Sequence, residues 1–134
     1  MTELLHKDIT NLILKAYYEV FNELGHGFLE KVYQNAMFYE LQSKGLKVEA
    51  QGKIIVYYKN KIVGEFFTDI FVNDAVIVEI KATSYLIEEN EYQLMNYLRA
   101  TNVEVGLLLN FGKEAEFKRI VYSNLYKNPN RNKV

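Results

Sequence analysis

Thr68-Asp69-Ile70-Phe71-Val72-Asn73-Asp74-Ala75-Val76-Ile77-Val78-Glu79-Ile80-Lys81 places two runs of β-branched and aromatic residues around the turn pair Asn73-Asp74. That composition predicts two antiparallel strands joined by a short loop. Alternate residues of a strand share a face, so Glu79 and Lys81 project together, about 6.6 Å apart, while Val76, Val78 and Ile80 take the opposite, buried face. Two charges on an otherwise apolar strand are costly unless they face a cleft or bind something. Asp69 keeps similar company, between Phe67, Ile70 and Phe71. A strict two-residue turn would pair Val72 with Ala75 and send Asp69 and Glu79 to opposite faces. For the acids to meet, with Cβ atoms within roughly 5 Å, the chain needs a three-residue loop or a bulge between Asn73 and Ala75.

Two carboxylates that close repel, and a divalent cation relieves the repulsion. The donors are hard oxygens, with no Cys or His cluster to favour zinc, so Mg²⁺ or Mn²⁺ is the expected ion. The Lys81 ammonium beside them suits orienting a water and stabilising charge that grows on a phosphate. Spacing alone leaves a plainer alternative open. Asp69 equally suits an acid flanking a turn, and Glu79 with Lys81 a weak ion pair on an exposed edge strand.

Working outward, Ile9, Leu12, Ile13, Ala16, Val20, Phe21 and Leu24 recur at helical spacing, which predicts an amphipathic helix. Gly25-His26-Gly27 interrupts it. A second helical stripe runs through Phe28, Val32, Ala36, Met37 and Leu41, with Gly45 as its expected cap. Lys53–Tyr58 and Ile62–Val72 read as strands around a turn at Lys59-Asn60-Lys61. Glu88–Thr101 is helical, burying Leu94, Tyr97 and Leu98. Glu104–Asn110 carries the apolar run of a central strand, and Phe117–Tyr122 a last, edge strand. The basic residues 127–134 are expected to fray.

The 134 residues fit one compact domain over 1–126. With 49% hydrophobic and 25% charged residues the composition is that of an ordinary soluble domain. No cysteine is present, which excludes disulfides and thiolate metal sites and suits a cytoplasmic location. Met1–Lys15 lacks the pattern of a signal peptide, and no run approaches membrane-spanning length. The net charge of −1 means that binding to nucleic acid must come from a local patch or a bridging metal.

Asp69 followed by Glu79-x-Lys81 resembles the signature of the PD-(D/E)XK nuclease superfamily. Gly27-Phe28-Leu29-Glu30-Lys31-Val32-Tyr33 resembles the motif of its GxxExxY family, and Gln93-Leu94-Met95-Asn96-Tyr97-Leu98 and Gly106–Gly112 resemble that family's later segments. The four motifs, in order, cover about Asp8 to Tyr122. The resemblance implies an α+β, restriction-endonuclease-like αβββαβ core with a mixed central sheet flanked by helices. It also implies a Mg²⁺- or Mn²⁺-dependent nuclease that acts on DNA or RNA, and it admits a homodimer. Asp69 and Glu79 would ligate the metal with the Ile80 carbonyl as a third ligand, Glu30 would complete the acidic cluster, and Gln93 would line the pocket. The chain departs from the pattern at Asn90, where relatives often carry histidine, and at Thr68, where the name-giving proline stands. A non-catalytic nucleic-acid-binding or protein-interaction module on the same fold is the alternative.

Overall fold

The computed structural model describes residues 5–129, 131 and 132. Helices α1 (Lys7–Leu24) and α2 (Glu30–Ser43) precede strands β1 (Val48–Tyr58), β2 (Lys61–Val72) and β3 (Val76–Lys81). Helix α3 (Glu88–Ala100) then leads to β4 (Val105–Phe111) and β5 (Ala115–Val121), with a short 3₁₀ turn at Asn124–Tyr126. The strands form one sheet in chain order. β1, β2 and β3 make an antiparallel meander, β4 runs parallel to β3, and β5 pairs antiparallel with β4. The α3 crossover is what a parallel connection requires. This is the expected α+β architecture with a mixed sheet.

Strand parity assigns the two cores. Ile70, Val72, Val76, Val78, Ile80, Val105, Leu107 and Leu109 pack with Ile13, Tyr17, Tyr33, Met37 and Leu41 of the first two helices. Phe71, Ile77 and Leu108 pack with Leu94, Tyr97 and Leu98 of α3 on the other face. Being covered on both sides, β4 is buried at every position, hence its unbroken apolar sequence. Gly106 lets α3 approach closely, since a Cβ there would stand 2.8 Å from a Leu94 methyl.

The loop between β2 and β3 is the three-residue one that the carboxylates required. Val72 pairs with Val76, Phe71 with Ile77 and Ile70 with Val78, leaving Asn73, Asp74 and Ala75 outside the ladder. Asn73 and Asp74 are both left-handed, at φ 52° and 53°, a conformation that Asn and Asp tolerate better than most residues. Two expectations change. β1 begins at Val48, because Val48, Glu49 and Ala50 pair with Val72, Phe71 and Ile70; partnership across the sheet outweighs their modest propensity. The tail, expected to fray, is tied down where it is described. Lys127 Nζ donates to the carbonyls of Thr101 and Val103 at 3.0 and 2.6 Å. Asn132 exchanges backbone hydrogen bonds with Ala100 and Asn102 at 2.7 and 3.0 Å. Those groups lie at or just beyond the C-terminal end of α3, where side chains and passing backbone are natural partners for the helix's last carbonyls. Residues 130, 133 and 134 of that tail lie outside the described set.

Candidate active site

The β2–β3 ladder stops at Ile70 and Val78, and its continuation sets Asp69 opposite Glu79. Beyond that point the strands part, and side chains take over the backbone's hydrogen bonds. Asp69 Oδ2 accepts the Ile80 N–H at 2.7 Å. Glu79 Oε1 accepts the Thr68 hydroxyl at 2.5 Å and, more weakly, the Asp69 N–H at 3.3 Å. On the other side of Asp69, Gln51 of β1 adopts φ 56°, a left-handed residue inside a strand. Asp69 therefore sits at an irregularity on both of its flanks.

Glu79 is buried and Asp69 half-buried. Glu79 is only 5% exposed. Burial first, and then the neighbouring Asp69 charge, push it up to about 8, against the pull of the Thr68 hydroxyl. Burial also raises Asp69, while the Ile80 N–H, a hydrogen bond shared with Glu79, and the charges of Lys81 and Lys31 lower it. Both acids are thus raised, and Glu79, the more deeply buried, is raised far enough to favour its protonated form at neutral pH. Such a pair is what a crowded, desolvated carboxylate site produces.

Lys81 is half-buried one alternate position beyond Glu79, and its charge favours ionisation of both Asp69 and Glu30. Glu30, raised mainly by burial, also senses the Asp69 charge. It does not join the pair directly. Gln34 stands between, its Nε2 donating to Asp69 Oδ1 at 3.0 Å and reaching Glu30 Oε1 at 3.4 Å. Among the described residues no three His, Cys, Asp or Glu side chains gather as a metal-holding group. The acidic cluster that Glu30 was expected to complete is thus two carboxylates and a third held off by an amide, which satisfies both acceptors at once.

Gln93 is carried by α3, on the sheet face that Glu79 shares by strand parity with Ile77. It is exposed on α3 and donates to the Tyr97 hydroxyl at 2.9 Å. Tyr97 is the connection, for its phenol is raised by burial and then by the charges of Glu79 and Asp69. The Ile80 side chain is in the core. Its N–H faces Asp69, and because both backbone groups of a strand residue face the same neighbour, its carbonyl opens onto the same parting. Asp69, Glu79 and the Ile80 carbonyl make an all-oxygen donor set that suits Mg²⁺ or Mn²⁺, ions commonly held by one or two carboxylates with water completing the shell.

The later motifs serve as supports. Asn110, fully buried, accepts the Thr83 N–H and donates to the Thr83 carbonyl, each at 3.0 Å, and so clamps the chain just after Lys81. At Gly112 a Cβ would stand 2.5 Å from the Thr83 carbonyl oxygen. Tyr33, stacked on Phe111 with centroids 4.2 Å apart, donates to the Gly25 carbonyl at 2.6 Å and accepts the Phe28 N–H at 3.2 Å. It thereby fixes the turn that delivers Glu30. Gln34, Thr68 and Gln51 escaped the sequence reading. Gln34 had a signal, four residues after Glu30 on one helix face, and Thr68 stands at the proline position of the superfamily signature; Gln51 had none.

A mixed sheet flanked by helices, with paired acids where its second and third strands diverge and a lysine beyond them, defines a restriction-endonuclease-like domain. Residues 7–120 match the family model of the PD-(D/E)XK nuclease superfamily, and the chain belongs to that superfamily. No curated protein and no solved structure matches it. Among the described residues no helix is long and apolar enough to cross a membrane.

Proposed function

We propose that the chain is a Mg²⁺- or Mn²⁺-dependent nuclease hydrolysing phosphodiester bonds of DNA or RNA, and that it falls in the GxxExxY family of its superfamily. The observation that carries this reading is the Asp69–Glu79 pair, a half-buried and a buried carboxyl set opposite each other where β2 leaves β3, with Lys81 beyond them. In this reading Asp69, Glu79 and the Ile80 carbonyl hold the ion. When bound, it would polarise the phosphodiester and make its water a better nucleophile. Thr68 and the Asp69 N–H orient the Glu79 carboxylate, and the Ile80 N–H orients Asp69. Lys81 places positive charge where the phosphate gathers negative charge. Gln34 keeps Glu30 within electrostatic reach. Tyr33, in the Gly27-to-Tyr33 motif, supports the family assignment by holding the preceding turn.

Heat melting with added Mn²⁺ and a cleavage panel of labelled DNA and RNA test the proposal together. A cation that binds only the folded chain raises Tm by mass action. Asp69→Ala is expected to lose that gain, and Lys81→Ala to keep it while losing cleavage. The second reading, a non-catalytic binding module, draws on Glu30 standing outside the acid pair. It prevails if the wild type retards nucleic acid on a gel yet cleaves none of the panel.

A further inference from the structure

Beyond Tyr97 a cavity of about 900 Å³ lies between α3, the β1–β2 hairpin and the segment after β5. Neither Asp69, Glu79 nor Lys81 lines it, but Tyr97 does. Its wall is aromatic, with Phe66, Tyr92, Tyr97, Tyr122 and Tyr126. Tyr92 and Tyr126 are 59% and 78% exposed, and Phe66 stands 6.1 Å from Tyr97, centroid to centroid. Large rings left this open in a groove are unusual for a surface with nothing to bind.

The charge of the groove opposes that of the molecule. Among the described lining residues Arg99 and Arg131 stand against one carboxylate, Glu89, in a chain of net charge −1; Lys127, also in the lining, turns its ammonium to the Thr101 and Val103 carbonyls, with Glu104 near it. The Arg99 guanidinium lies 5.9 Å over the Tyr122 ring. Arg131 Nε is buried and, among the described residues, has no hydrogen-bond partner. Rings with interleaved cations and side-chain amides fit a chain of flat, π-faced bases on an anionic backbone. In a duplex those base faces are already stacked on one another and closed to side chains.

We infer that this groove binds an unpaired single strand of nucleic acid, stacking its bases on Phe66, Tyr92 and Tyr126 and leading its backbone past Tyr97 to the Asp69–Glu79 pair. The inference rests on the nuclease reading for the nature of its ligand and adds the strandedness that reading leaves open. Asn90, Gln93 and Asn96 line the same wall and offer hydrogen bonds to base edges.

Fluorescence anisotropy in EDTA, with labelled single-stranded DNA, single-stranded RNA and the matching duplexes, tests the groove without cleavage. The expected result is at least tenfold tighter binding of a single strand than of a duplex. Tyr92→Ala combined with Tyr126→Ala is expected to lose roughly tenfold or more on single strands, and Tyr92→Phe to retain affinity because the ring is kept. These residues are exposed, so circular dichroism should be unaltered. The chain has no tryptophan, so Tyr92→Trp supplies a lone fluorophore that a stacked base quenches. Duplex binding as tight as single-strand binding, unchanged affinity in the double variant, or an unquenched Tyr92→Trp would overturn the inference. A protein that binds single strands through these rings but cleaves nothing with Mn²⁺ sinks the nuclease reading and leaves the groove standing. One that cleaves while ignoring the ring substitutions does the reverse.

Discussion

Glu79→Gln probes the acid pair most directly. In the fold the Glu79 carboxyl is held at about 8, against an ordinary value of 4.5. Between those values the unfolded chain releases the proton while the folded chain keeps it. Stability therefore falls as pH rises from about 4.5 to about 8, and stays lowered above. At ~1.4 kcal/mol for each intervening pH unit, ionisable Glu79 withholds about 3 kcal/mol at pH 7 and at most about 5 kcal/mol in alkali. Glutamine keeps the geometry, since its carbonyl can accept the Thr68 hydroxyl as Glu79 Oε1 does and its amide carries no charge to titrate. Urea unfolding in EDTA, from pH 4.5 to 8.5, is the assay. The wild type should lose stability across that range relative to the variant, with a gap under ~1 kcal/mol near pH 5 that widens to about 3 kcal/mol at pH 7. Added Mn²⁺ should close the gap by stabilising the wild type alone. Parallel pH profiles, or a variant less stable than wild type at pH 7, would refute the account of Glu79 as a buried acid that keeps its proton at neutral pH.

Three further substitutions test the scaffold. Tyr17 is fully buried; its hydroxyl donates to the Asn110 carbonyl and accepts the Glu116 N–H, tying α1 to β4 and β5. Tyr17→Phe should cost about 1–3 kcal/mol in urea unfolding by stranding those groups. Gly112→Ala meets backbone rather than a flexible side chain, so a loss of about 1–3 kcal/mol is expected, together with weaker Mn²⁺ stabilisation as the chain after Lys81 shifts. Lys127→Ala removes the donor from two carbonyls, and its Tm should fall by several degrees; an unchanged Tm would mean that water replaces the ammonium without loss.

Much of the architecture is local in origin and so was legible in the residues. The three- and four-residue spacing of apolar positions from Ile9 to Leu24 is one face of a helix wherever it packs. The run from Val105 to Leu109 has no polar face to turn outward, so it had to be a central strand. Even the Asn73–Ala75 loop followed from strand parity, once Asp69 and Glu79 were required on one side. Tertiary structure alone decided how the site is finished, because its contacts join residues far apart in the chain. Whether Gln34 or Glu30 reaches Asp69 depends on how α2 lies across β2, and Gln93 is linked to the carboxylates through Tyr97, which packs beside Ile77 on the face that Glu79 shares. The end of the β2–β3 ladder at Ile70 opens a gap that Asp69, Glu79 and Thr68 fill with side-chain hydrogen bonds. No sequence period records such a break, since it is made by side chains of two strands that meet only in the folded sheet.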